Sequence, residues 1–473
     1  MGIYRIPLFK DNFITEESIS GNGGATPILN VAAKYVSISG GKFSSRIIGM
    51  FDFSSTSDVI NSISAGYLPD PNVDSTLTAK LVMFNAEHNQ QRAVNFNLNF
   101  HPLTSSWDEG RGYGFGEGNE LTTTGFSNYM YRKASTTWNL SGGDYVVDSN
   151  SATQLFEESE NLNLNITNIV KNWISGVSSN NGFILKLNDS EESKTGSTSA
   201  SLDYFRKSFF GRSTNFLKWP RLQFEWDDTI KDYRNILSFG NSGYLYFYSI
   251  LNNDFYDLSG TSNFPGKVFI QGITSNSSTS WINVDSTLSS LTAARIKKGI
   301  YRVKLDNIPF SLYPTYTSYR DNWTITSSIS SVLSSSTGSL TLLNPFINSN
   351  SNINFSNITI NILNFKNQYF KENIVDFKIF VKDISQSLQV LTASSTSYSN
   401  MIIENGFYRI STTKDDVDID WQPLNFEKNG NWFTINMNNL IRNENYKIDF
   451  KLKIKNQELF FDGNNISTTF RVV

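Results

Sequence analysis

The chain has 473 residues, a net charge of −3, no cysteine and two histidines, His88 and His101, with 39% hydrophobic, 14% aromatic and 18% charged residues. Without cysteine there is no disulfide framework, thiolate metal site or cysteine nucleophile, and two histidines disfavour a multi-histidine metal centre. The near-neutral charge argues against a nucleic-acid partner, which calls for a basic bias.

From the N-terminus, Met1-Gly2-Ile3-Tyr4-Arg5-Ile6-Pro7-Leu8-Phe9-Lys10-Asp11 contains no apolar leader, so no secretion signal is expected. No run approaches ~18 apolar residues, so no membrane partner is expected. Strand patterns follow in succession: Ser45 to Ser54, with Phe51-Asp52-Phe53 near its end, then Thr78 to Phe84 and Leu162-Asn163-Leu164-Asn165-Ile166. Ile166, Ile169, Val170 and Trp173 recur at helical spacing, which predicts a short helix capped by Thr167 and closed by Gly176. Asn181-Gly182-Phe183 and Trp219-Pro220-Arg221-Leu222 complete the first 230 residues.

Between these strands lies the one stretch with chemical promise, Trp107-Asp108-Glu109-Gly110-Arg111-Gly112-Tyr113-Gly114-Phe115-Gly116-Glu117-Gly118. Its glycines are not a phosphate loop, because no Lys-Ser/Thr follows and Glu117 would repel phosphate. The stretch is expected to pack on a neighbouring subunit. Asp108 and Glu109 are adjacent, so on a strand they face opposite ways and cannot form the opposed carboxylate pair of a glycosidase. Asp108, Glu109 and Glu117 would be the ligands of a calcium reading; no metal and no cofactor are expected. Trp107, Tyr113 and Phe115 remain as exposed aromatics for partner or glycan contact. His88 and His101 accompany no serine-nucleophile motif, so no catalytic residue is assigned.

The second half contains a repeat. Ile250-Leu251-Asn252, Lys267 to Ile273, Gly299 to Val303 and Asn322-Trp323 recur in the same order as Ile362-Leu363-Asn364, Lys378 to Ile384, Gly406 to Ile410 and Asn431-Trp432. The spacing is about 110 residues, the size of an immunoglobulin-like sandwich. The polar stretch Asn348 to Asn354 marks the boundary, and the serine tract Ser327 to Ser336 reads as an edge strand or a connection. In Asp415-Asp416-Val417-Asp418-Ile419-Asp420, alternation puts Asp416, Asp418 and Asp420 on one face, read as a solvated strand face or loop, with a cation seat or a contact for a basic partner as the alternative. Tyr446 opens an alternating strand to Ile454 six positions after Leu440, a spacing that resembles the tyrosine corner of fibronectin type III modules.

The fold expected is all-β: an N-terminal jelly-roll-like sandwich over residues 1–230, then two tandem immunoglobulin-like sandwiches over 231–350 and 351–473. In residues 1–228, the Phe-Asp strand end, the Trp-x-Glu-Gly segment, the helix with Trp173, Asn-Gly-Phe and the Pro-x-Leu strand resemble jelly-roll modules of the DNRLRE type. With the tandem modules behind it, the layout resembles virion structural proteins of tailed, contractile-tail bacteriophages. That resemblance implies a non-enzymatic particle component of the tail, neck (collar) or baseplate. Its implied partners are other virion proteins and copies of itself, with host glycan as a further candidate, and it would be made in the bacterial cytoplasm. A carbohydrate-binding adhesin or receptor-binding fibre module is the alternative.

Overall fold

The structure is a computed structural model that describes residues 2–36, 41–64, 67–87, 95–112, 126–147, 151–157, 159–192, 205–252, 254–256, 267–274, 279–282, 291–306, 308, 316, 318–326, 332–343, 358–383, 400–414, 416–454 and 457–473. Strands dominate, and among the described residues the α-helices are Asp58–Ser64, Thr167–Ile174 and Asp189–Glu192. The protein is all-β, and the chain divides into two compact units, Gly2–Asp227 and Asp228–Val473.

The first unit is a two-sheet sandwich. One sheet runs in the order Gly2–Pro7, Arg221–Trp226, Thr78–Met83, Leu162–Asn165. The other runs Phe205–Phe210, Ile28–Val36, Gly41–Met50, Phe183–Leu187, Phe96–Pro102, Ala152–Phe156, with Lys10–Thr15 also paired to Gly41–Met50. The first strand of the unit therefore pairs with its last, from Gly2↔Trp226 to Pro7↔Arg221. Gly2 permits this closure, because a Cβ there would stand 2.1 Å from the Trp226 indole. Alternation sends Ala79, Leu81 and Met83 inward from one sheet to meet Leu98, Phe100, Phe183 and Leu185 from the other. The central strand Phe183–Leu187 is buried on both faces, so its outward Ile184 joins a second small core with Trp107 and Trp138.

The helix over Thr167–Ile174 packs Ile169, Val170 and Trp173 inward, and Gly176 follows it at φ +74°. Its cap differs from the expected one. Ile166 holds the N-cap position without a side-chain bond, and the Thr167 hydroxyl instead accepts the Ala79 amide at 2.8 Å. The Thr167 amide is satisfied by Asn165 Oδ1 at 3.0 Å. The hydroxyl is drawn to the sheet because the Ala79 amide would otherwise be buried without a partner.

In the second unit, the first of the tandem modules sets the sheet Gly243–Tyr248, Ile300–Leu305, Ala294–Lys297 against Thr279–Ile282, Lys267–Ile273, Ser318–Thr326, Val332–Leu340. Leu245, Val268, Ile270, Tyr301, Val303 and Trp323 form its core. The last module sets Ile358–Ile362, Ile374–Asp383, Gly430–Asn436, Asn425–Glu427 against Gln368–Tyr369, Thr469–Val472, Asn445–Ile454, Asn405–Thr412, Val417–Pro423, with Gln457–Phe461 paired to Asn445–Ile454. Stacked rings fill it, Tyr408 on Phe433 at 4.1 Å and Phe377 on Phe433 at 5.0 Å.

The repeat anchors fall on strands or in the turns beside them, with Ile384 outside the described residues, but only some keep their neighbours. Lys267–Ile273 pairs with Ser318–Thr326 as Ile374–Asp383 pairs with Gly430–Asn436. The Gly299 and Gly406 anchors open strands with different partners: Ile300–Leu305 lies between Gly243–Tyr248 and Ala294–Lys297, Asn405–Thr412 between Asn445–Ile454 and Val417–Pro423. Ile250–Leu251 forms a hairpin with Asp254–Phe255, whereas Ile362 ends a strand paired to Ile374–Asp383. Of the serine tract, Val332 to Ser336 belongs to an edge strand, with Ser336 exposed, and Ser327 to Ser331 lies outside the described residues. Asn348 to Asn354 lies outside them too.

A short segment ties the tandem modules together. The Ile230 amide donates to Asn425 Oδ1 at 2.8 Å, the Phe426 amide to Ile230 O at 3.0 Å and the Asp232 amide to Phe426 O at 3.0 Å. One residue on, the Tyr233 amide donates to Tyr244 O at 2.9 Å in the other module. The Tyr233 ring meets Phe426 edge-on at 5.1 Å.

Candidate interaction surface

Trp107 is 1% exposed. Its indole Nε1 donates to Asn181 O at 3.0 Å, and the Lys10 ammonium stands 4.4 Å from its ring centroid. Ile14, Ile48, Leu103, Trp138 and Ile184 surround it. This corrects the expectation of an exposed platform at Trp107: the outward Ile184 of the strand Phe183–Leu187 is buried, and the indole is part of what covers it. Tyr113 and Phe115 lie outside the described residues, as do Glu117 and His88.

The other described residues of this stretch are tied into their own unit. Glu109 accepts the Asp11 amide at 2.8 Å and Arg212 Nη1 at 3.0 Å, while Asp108 is half exposed, 3.9 Å from Lys133. Asp11 is buried, and its Oδ2 accepts the Arg212 amide at 2.7 Å. Burial pushes the Asp11 carboxyl up to about 7 against the pull of Arg212, and Glu109 adds to the rise. Asn22 Oδ1 accepts the amides of Gly24 and Gly112, each at 3.0 Å. A Cβ on Gly110 would stand 1.5 Å from that same oxygen. The first glycines of the loop, Gly110 and Gly112, are therefore required by close approach within this chain, and its later glycines lie outside the described residues. His101 is buried, 2.7 Å from Ser151 Oγ and stacked on Tyr145 at 5.0 Å, with burial and Lys186 holding its pKa down.

In the last module the Tyr446 ring is fully buried, and its hydroxyl accepts the Ile441 amide at 2.8 Å, closing the corner that the Leu440–Tyr446 spacing predicts. Burial and the nearby Asp418 raise the phenol's pKa. The acidic run does not keep one face. Along Val417–Pro423 the register with Asn405–Thr412 shifts twice, between Tyr408 and Ile410 and between Ile410 and Ser411. Each shift inserts an extra residue on the acidic strand, so strict alternation fails. Asp418 ends up half-buried and Asp420 exposed; Asp415 lies outside the described residues.

These irregularities build a surface that the sequence pattern does not predict. Across the outer face of Val417–Pro423, Asn405–Thr412, Asn445–Ile454 and Gln457–Phe461, aromatic rings and cations alternate. Lys451 Nζ stands 5.2 Å from the Phe407 ring and 4.9 Å from Trp421; the Arg409 guanidinium stands 4.8 Å from Trp421 and 5.9 Å from Phe460. Trp421 and Phe460 meet edge-on at 5.8 Å. Asp449 anchors the array, accepting Arg409 Nη2 at 2.7 Å and the Gly463 amide at 2.9 Å. Buried Lys447 bridges Asp449 and Asp462 at 3.9 and 3.1 Å. Phe460 is 56% exposed, and Phe407, Arg409, Trp421 and Lys451 are half-buried. The sequence signal for this face is the row Lys447, Asp449, Lys451 along the Tyr446 strand; its cross-strand partners depend on register, which the pattern does not carry.

No family model and no curated protein matches the chain. Among solved structures it is similar to a titin fragment at 11% identity, with 52% of this chain and 97% of that chain covered and a TM-score of 0.15. The tandem V-type regions of a v-region-containing chitin binding protein match at 10% identity over 52% and 97%, with a TM-score of 0.14. A DUF4785 family protein from Legionella pneumophila matches at 8% identity over 97% and 88%, also with a TM-score of 0.14.

Proposed function

We propose that this chain is a non-enzymatic structural component of a tailed-bacteriophage virion, in its tail, neck or baseplate region. In this reading an N-terminal jelly roll and two immunoglobulin-like sandwiches join other virion proteins and copies of the same chain. The observation that supports a contact role is the alternating face of Phe407, Lys451, Trp421, Arg409 and Phe460. Trp and Arg are the residue types that dominate binding energy at protein interfaces. Cations already held on rings lose less side-chain freedom when a partner docks. The order of motifs in residues 1–228 supports the particle assignment. The adhesin alternative loses its sugar platform at Trp107, which lies inside the unit.

Antibody labelling of purified virions, with a mass-spectrometric inventory of the same particles, tests the proposal. The expected result is a discrete labelled position at fixed stoichiometry. Production of the chain in infected cells with absence from every particle overturns it.

A further inference from the structure

We propose that the outer face of the last sandwich is self-complementary and joins two copies of this chain about a two-fold axis. The inference rests on the reading of the chain as an assembly component, and names the partner of this face as the chain itself.

One acid and one base define the face. Between the register pairs Tyr408↔Gln422 and Ile410↔Ile419, Arg409 is opposed by two residues, Asp420 and Trp421. Such a bulge turns both of their side chains away from the core. Asp420 is exposed, and its Oδ1 accepts the neighbouring Trp421 amide at 2.8 Å. Arg409 does not neutralise it, being committed to Asp449 at 2.7 Å. Lys451 lies two strands away, over Phe407 and Trp421, and among the described residues it forms no ion pair. One carboxylate and one ammonium thus share a face, neither with a counter-ion among the described residues, and Trp421 stands between them.

That arrangement is what an isologous contact needs. In a two-fold dimer the same patch meets itself, so residue i on one copy meets residue j on the other and the contact occurs twice. Rotating a second copy onto this face sets Asp420 of each against Lys451 of the other, with Trp421 between the two pairs and the exposed Phe460 beside Lys451 on the edge strand. At the rim, Lys453 and Glu458 are opposed in register and both exposed, adding no net charge of either sign. Complementary charges around an aromatic centre favour this partner over a uniformly charged polymer.

Sedimentation velocity of the full chain over a concentration series tests the proposal. The wild type is expected to show a reversible monomer–dimer equilibrium. Asp420→Lys and Lys451→Glu, each repeated by symmetry, are expected to weaken it about tenfold or more. Phe460→Ala, at a mostly exposed position, is expected to weaken it too. An equimolar mixture of Asp420→Lys and Lys451→Glu is expected to regain association as a heterodimer, because positions 420 and 451 then meet with opposite charges at both contacts. Unchanged circular dichroism melts of the single variants would separate this from misfolding. A wild type that is monomeric throughout, including one that binds polyglutamate instead, overturns the proposal. So does a mixture that fails to regain association. Dimerisation without virion labelling would remove the particle assignment and leave this inference standing; labelling with a monomeric chain would do the reverse.

Discussion

The hydroxyl of Tyr446 takes the Ile441 amide hydrogen at 2.8 Å inside a fully buried site. Tyr446→Phe keeps the ring and strands that amide, so it is expected to cost about 1–2 kcal/mol, read as a lower denaturant midpoint of the last module with unchanged slope. Asp11 carries a pH signature. Its carboxyl rises from 3.8 to about 7 on folding, so the native state holds a proton that the unfolded chain has lost. The stabilisation is whole below about pH 4 and disappears as pH rises through about 7. Asp11→Asn is expected to flatten the calorimetric stability of the Gly2–Asp227 unit across that window. His101 has the opposite sign, since its pKa is lowered on folding, and the difference between parent and Asp11→Asn isolates the carboxyl.

At the scale of the element, two glycines separate backbone conformation from crowding. Gly176 has φ +74° and, among the described residues, nothing within 4 Å of where a Cβ would stand, so Gly176→Ala is expected to cost only the left-handed strain, about 1 kcal/mol. Gly110→Ala drives a methyl into Asn22 Oδ1 and breaks the bonds that hold Gly24 and Gly112. The expected outcome is faster hydrogen exchange at both amides, together with a larger loss of stability. The strand and helix positions are legible in the sequence because periodicity records which residues turn inward: Leu162, Leu164, Ile169, Val170 and Trp173 all do. The corner at Tyr446 is legible for a related reason, since Leu440 and Tyr446 are close along the chain. Long-range relations are not legible. Trp107 reads as exposed because nothing nearby in sequence announces that Phe183–Leu187 is covered on both faces. The aromatic–cation face stays hidden because a bulge, which no alternation rule anticipates, sets Asp420 and Trp421 together opposite Arg409.

For the molecule as a whole, the segment Ile230–Tyr233 couples the tandem sandwiches, and Asn425 holds its first amide. Asn425→Ala leaves the buried Ile230 amide without its acceptor. The single calorimetric transition expected for Asp228–Val473 should then split into two. The same segment sets a timetable for synthesis. The Ile230 amide waits for a side chain 195 residues further along the chain. At ribosomal speeds of roughly 5–20 residues per second, that is a delay of roughly 10–40 s. The N-terminal sandwich, whose closing strand ends at Trp226, is complete before this wait begins. The middle sandwich must hold an unfinished seam until Phe426 emerges, so the nascent chain is most vulnerable between the emergence of Leu343 and that of Phe426.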